Sequence, residues 1–121
     1  MTIAQAIAAV DALTPNTFDR ETKVAWLSRL DQQVQRELIE THQGATPFDG
    51  YTAATPMDTQ LAMESPYDEC YIRYLQAQIH YENGEINRYK NAIVLFNSVY
   101  GAFADHYNRT HLPLSHGSFR G

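Results

Sequence analysis

One cysteine, Cys70, is all the chain contains, so no internal disulfide can form and a zinc site built on cysteine pairs is unsupported. Positive charge is also scarce. Nine basic residues stand against 14 acidic ones, a net charge of −5. A sequence-independent grip on DNA or on an anionic membrane needs clustered Lys and Arg and is not expected here. No apolar run approaches the roughly 20 residues that span a bilayer. The N-terminus lacks a basic segment followed by an apolar signal core, so the expected location is a cytosol or a particle assembled in one.

Chemical motifs are missing too. His42, His80, His106, His111 and His116 show neither the one-turn His pairs of a zinc-protease helix nor a Glu-x-x-His of the di-iron bundles. Asp105 and His106 are adjacent, so on a helix they point about 100° apart and cannot share a triad-type hydrogen bond. Cys70 has apolar and aromatic helical neighbours, which suits a packed thiol better than a nucleophile. There is no glycine-rich phosphate loop and no nucleophile elbow. No catalytic, cofactor-binding or metal-binding residue is assigned, and an enzyme is not expected. Asn108-Arg109-Thr110 has the form of a glycosylation sequon, which has no meaning without secretion.

What the chain does have is helical pattern. With 121 residues, 44% apolar and 19% charged, it fits one domain with a real core. Over residues 85–109, Ile86, Tyr89, Ile93, Phe96, Tyr100, Phe103 and Tyr107 recur at alternating steps of three and four. That spacing holds one stripe on one side of an α-helix. A second row, Ala92, Leu95, Val99 and Ala102, lies beside it, so the helix is expected to be the core centre of a small bundle.

Earlier in the chain, Thr2 and Gln5 have the form of a capping box, and Ile3, Ala6, Ile7 and Val10 then make a short amphipathic helix ending before Pro15. It is expected to pack on the core or on a neighbouring subunit. Asp19 suits the N-cap of a second helix, with Val24, Leu27, Leu30, Val34 and Leu38 as its buried stripe and Trp26 beside them. Arg20, Lys23, Gln32, Gln33, Arg36 and Glu37 are placed on its solvent side, and Gly44 offers a stop. Over 43–65 the period breaks, with Gly44, Pro47, Gly50 and Pro56 as punctuation. Phe48, Tyr51, Met57, Leu61 and Met63 are too apolar for a flexible linker. Part of this stretch should pack back or form a short β-hairpin, and it also suits an arm that contacts another subunit. Ser65 as N-cap and Pro66 as first helical residue predict a third helix carrying Tyr67, Tyr71, Tyr74, Gln78 and Tyr81. Asn83-Gly84 then turns the chain into the long helix as an antiparallel hairpin.

The fold class expected is all-α: about four helices built on that hairpin, with an irregular or short β-hairpin insertion between the second and third. Residues 1–111 form one domain, and 112–121 are expected to be a disordered tail. Eight tyrosines are more than one small hairpin can bury with every hydroxyl satisfied, so some suit rims or subunit contacts. Gly101 lies on a strip of small or amide residues with Asn97, Ala104 and Asn108 and reads as a helix crossing point, within or between subunits. Gly101, Tyr51 and Phe119 are the candidate interface residues.

Several stretches taken in order resemble a family. They are Trp26-Leu27-Ser28-Arg29-Leu30-Asp31, Ser65-Pro66-Tyr67-Asp68-Glu69, Tyr81 before Asn83-Gly84-Glu85, Arg88-Tyr89, and Tyr107-Asn108-Arg109-Thr110-His111. Together they resemble small head-tail connector, or adaptor, proteins of tailed phages and prophages, over residues 2–111. The resemblance implies a structural virion protein at the head-tail junction, assembled in the bacterial host cytoplasm. It implies a homo-oligomeric ring of about a dozen copies beneath the portal, through which DNA passes without sequence-specific binding. The portal protein and other neck or tail components are the implied partners; no membrane and no cofactor is implied. Two other readings compete. One is a tetratricopeptide-like interaction module, suggested by Ala77, Tyr81 and Gly84 but weakened by Tyr89 and by the lack of a second copy. The other, a small helical enzyme, has no constellation behind it.

Overall fold

The structure, a computed structural model, describes residues 1–114. Four α-helices follow one another: α1 Ile3–Leu13, α2 Arg20–Glu37, α3 Glu69–Glu82 and α4 Ile86–Thr110, with a 3-10 turn over Ile39–Thr41 after α2. The chain is thus all-α among the described residues, as the periodicities predict.

The helix starts follow from their caps. Thr2 accepts from the Gln5 amide at 3.1 Å while Gln5 accepts from the Thr2 amide at 2.8 Å, a complete capping box for α1. Asp19 caps α2 by accepting from the Thr22 amide at 2.8 Å. The third start differs from expectation. Residues 65–68 form turns closed by bonds such as Tyr67 N to Glu64 O (2.8 Å) and Tyr71 N to Asp68 O (3.1 Å), and α3 begins only at Glu69. Nor does Gly44 end α2: the helix stops at Glu37 and tightens into the 3-10 turn. Gly44, with φ +84°, turns the chain a few residues later.

α3 is the hub, and this corrects the expectation that the long helix is the centre. α1, α2 and α4 all pack against α3, whereas α4 packs closely along α3 alone and reaches α2 only through side chains such as Tyr100, whose hydroxyl donates to Glu37 at 2.7 Å. One neighbour can cover only one stripe of a helix. Phe96, Phe103 and Ala92 are therefore buried; Tyr89, Ile93, Tyr100, Tyr107 and Val99 are half-buried; Ile86 and Leu95 are exposed. The contact between α3 and α4 is an aromatic ladder in register. Tyr81 meets Tyr89 at 5.3 Å, Tyr74 meets Phe96 at 5.4 Å, and Tyr67, one turn ahead of α3, meets Phe103 at 5.7 Å. Successive rungs are seven residues apart on each strand of the hairpin. Such pairs contribute about 0.5 to 1.5 kcal/mol each beyond the area they bury.

α1 lies in the core with Ile3, Ala6, Ile7 and Val10 buried, and α2 with Val24, Leu27, Leu30, Val34 and Leu38. Trp26 packs edge-on against Phe18 at 5.3 Å. Lys23, expected on the solvent side, is buried instead because its ammonium reaches Asp11 of α1 at 2.7 Å.

No β-hairpin forms in the insertion; among the described residues there are only isolated bridges, Thr2 with Gln60 and His42 with Pro113. The reason lies in where its backbone groups are satisfied. Carbonyls of Thr59 and Met57 accept from the first free amides of α1, Ile3 at 3.1 Å and Ala4 at 2.9 Å, and Leu61 N donates to Met1 O at 3.0 Å. The segment thus pairs with the N-terminus, and within itself closes tight turns such as Thr55 N to Thr52 O (3.0 Å) and Thr59 N to Pro56 O (3.1 Å). At the other end, Gln43 N donates to Leu112 O at 2.9 Å and Leu114 N to Thr41 O at 3.0 Å, so the first residues of the expected tail lie along 41–43.

Candidate assembly surface

Three places in the fold stand out as candidate sites. The first is a buried carboxylate. Asp31 lies one turn after Leu27 on the core face of α2 and is 1% exposed. Tyr71 of α3 donates to it at 2.6 Å, the Ala62 amide donates at 3.0 Å, and the Tyr51 hydroxyl donates to the same oxygen as Ala62. The Tyr71 hydroxyl in turn accepts from the Met63 amide at 2.7 Å. Burial holds the Asp31 carboxyl above the usual carboxylate range, against the lowering effect of its three donors. Burial and the neighbouring Asp31 charge push the Tyr51 and Tyr71 hydroxyls well above the usual phenol range, so both stay protonated donors.

Around Asp31 the polar side chains of α2 form a latch. Ser28 Oγ accepts from the Tyr51 amide at 2.9 Å, Gln32 donates to Asp49 O at 3.1 Å, and Gln35 donates to Thr46 O at 2.7 Å. Gly50 fits between them because it has no side chain: a Cβ there would stand 2.6 Å from Ser28 Oγ. Periodicity places Gln32 toward solvent and gives no sign of this latch. The readable signal is Asp31 itself, a carboxylate one turn from Leu27 within an apolar stripe.

The second place is a groove of about 320 Å³ between the end of α1 and the turn joining α3 to α4, lined by Leu13, Pro15, Ile79, His80 and Arg88 among others. His80 Nδ1 is 2.8 Å from Glu85, and Arg88 is 3.4 Å from the other oxygen of Glu85. Thr14, the hydroxyl in the groove, accepts from Gln76 at 3.1 Å. His80, Glu85 and Arg88 thus pair with one another, and Thr14 with Gln76. Cys70 is fully buried, and burial pushes its thiol up to about 12. His42, His106 and His111 lie elsewhere, the first and last against Tyr107 and the second against Tyr67. Among the described residues no three metal-binding side chains converge.

The third place is the side of α4 turned away from α3. The residues 91–104 carry no charge at all. Val94 is 64% exposed and Leu95 47% exposed, with Ser98, Gly101 and Ala102 open beside them. Apart from the local backbone of its own helix, no atom lies within 4 Å of where a Gly101 Cβ would be, so no helix crosses there among the described residues. Of the other candidate interface residues, Tyr51 is half-buried with its hydroxyl on Asp31, and Phe119 lies outside the described residues, as does His116.

Compared with family models, with curated proteins and with solved structures, the chain matches none. Among the described residues no helix is long and apolar enough to cross a membrane.

Proposed function

We propose that this chain is a structural subunit of a tailed-phage or prophage virion, a head-tail connector (adaptor) protein that assembles as a ring beneath the portal, through which DNA passes. The observation that carries the reading is the unfinished side of α4. A 25-residue helix covered on one stripe only, with Val94 and Leu95 exposed in an uncharged stretch, is a surface that assembly covers. The ordered set of motifs named above supplies the class of assembly. A net charge of −5 suits a channel wall along which DNA slides without adhering. In this reading the insertion is a preformed part of the subunit, held by the Asp31 latch before any partner arrives.

The tetratricopeptide-like alternative fares less well at one position. The site after the turn that such a repeat keeps small holds Tyr89, whose ring packs on Tyr81 at 5.3 Å. The genes beside this one test the class directly: portal and major capsid genes are the expected neighbours, and a metabolic operon would contradict the reading.

A further inference from the structure

The outward side of α4 is complementary to itself. Asn91, Val94, Ser98, Gly101, Ala102 and Asp105 follow at helical steps and are all exposed. Val94 projects as a knob, and Gly101, about two turns on, leaves a gap flanked by the small residues Ser98 and Ala102. Lys90 and Asp105 close the uncharged stretch at its two ends with opposite charges, and among the described residues neither is in an ion pair. The pair Val94 and Gly101 and the pair Lys90 and Asp105 are centred on the same point of the helix, the Asn97–Ser98 peptide.

We propose that two copies of this chain pair through α4, antiparallel, about a two-fold axis at that point. The arrangement sets each Val94 into the gap at the partner's Gly101 and each Lys90 beside the partner's Asp105, so knob meets hole and charge meets counter-charge twice. A parallel pairing sets like charge on like charge and knob on knob, which selects against it. A two-fold contact closes on itself and cannot by itself make a ring. The pair is therefore the state of the free chain, exchanged on entry into any larger assembly, and it does not rest on the phage reading.

Sedimentation equilibrium of the full chain at low ionic strength tests this with charge reversals on the exposed face. The wild type is expected to dimerise, and Lys90→Glu and Asp105→Lys each to weaken the dimer by about tenfold or more. Because the contact is symmetric, a mixture of the two single variants restores both attractions and is expected to form the mixed dimer with wild-type affinity. The double variant Lys90→Glu/Asp105→Lys is expected to recover as well. Circular dichroism checks that every variant keeps its helix content. The proposal is overturned by a wild type that stays monomeric up to about 1 mM, by single reversals that leave its association unchanged, or by failure of both the mixture and the double variant to recover.

Discussion

Tyr71 and Asp31 meet at 2.6 Å across 40 positions of sequence, and their bond ties α3, α2 and the insertion into one unit. Removing the carboxylate strands the buried Tyr71 hydroxyl, the half-buried Tyr51 hydroxyl and the Ala62 amide. Asp31→Ala is expected to lower the unfolding free energy by about 3 kcal/mol or more, and Tyr51→Phe by about 1 to 2 kcal/mol. Denaturant melts measure both, and amide exchange at Ala62 and Met63 should speed up in Asp31→Ala before the helices are affected.

The same carboxylate sets a pH dependence. Burial raises the folded-state pKa of Asp31 above its ordinary 3.8, so on acidification the folded chain takes up that proton before the unfolded chain does. The contribution of Asp31 to stability then rises as pH falls through the folded pKa, and levels off below the unfolded one. Asp11 and Asp19 act in the opposite sense. Burial would raise Asp11, but hydrogen bonds from Lys23 and Asn16 bring it below the usual value; Thr22 lowers Asp19. Their contributions are lost as pH falls through their folded pKa values. Measured against Asp31→Asn, the wild type should gain stability between about pH 7 and about pH 4. A difference that shrinks on acidification would mean that the three donors outweigh burial.

Lys23 and Asp11 differ in what each leaves behind. The Lys23 side chain is 4% exposed and that of Asp11 46% exposed. Asp11→Ala leaves an ammonium buried without its partner, whereas Lys23→Met leaves a carboxylate that water can reach. Asp11→Ala should therefore cost about 2 to 3 kcal/mol and Lys23→Met clearly less, in thermal or denaturant unfolding.

Two glycines should respond with opposite signs. Gly50, at φ +106° and hard against Ser28 and Gln32, has no room for a methyl group, so Gly50→Ala should destabilise by about 2 kcal/mol or more. Gly101 sits in the middle of α4 with open space around it, so Gly101→Ala should raise the stability of the monomer by up to about 1 kcal/mol. Differential scanning calorimetry on dilute protein reads both.

Within α4, Phe96→Ala should cost about 3 to 5 kcal/mol, because Phe96 is buried against Tyr74 and Tyr100. Leu95→Ser, one position along, should change the stability of the monomer by less than about 0.5 kcal/mol. If Phe96→Ala left the melting temperature unchanged and only altered association, the ladder would be an interface between chains.

Local rules made α1, the start of α2 and the hairpin turn legible, because Thr2 with Gln5, Asp19 and Gly84 each act on neighbours within a few residues. Where a segment's partners are far away in sequence, the same rules failed. Gln32 reads as part of a polar face, yet with Ser28 and Gln35 it holds residues 11 to 23 positions away. The period of α4 marks a stripe, of which Phe96 and Phe103 are buried while Ile86 is exposed, but it cannot say how many helices cover it. With α3 the one helix packed along it, Leu95 and Val94 are left outside; Gly101 marks that side in the sequence, but the exposure of Val94 and Leu95 appears only in three dimensions.

Native mass spectrometry of purified portal rings encoded in the same genome, mixed with this chain, reads ring assembly on the portal. A discrete complex carrying about a dozen copies on each portal ring is expected, with no intermediate count accumulating at saturation. Portal rings that stay bare at a large excess of folded chain would contradict it.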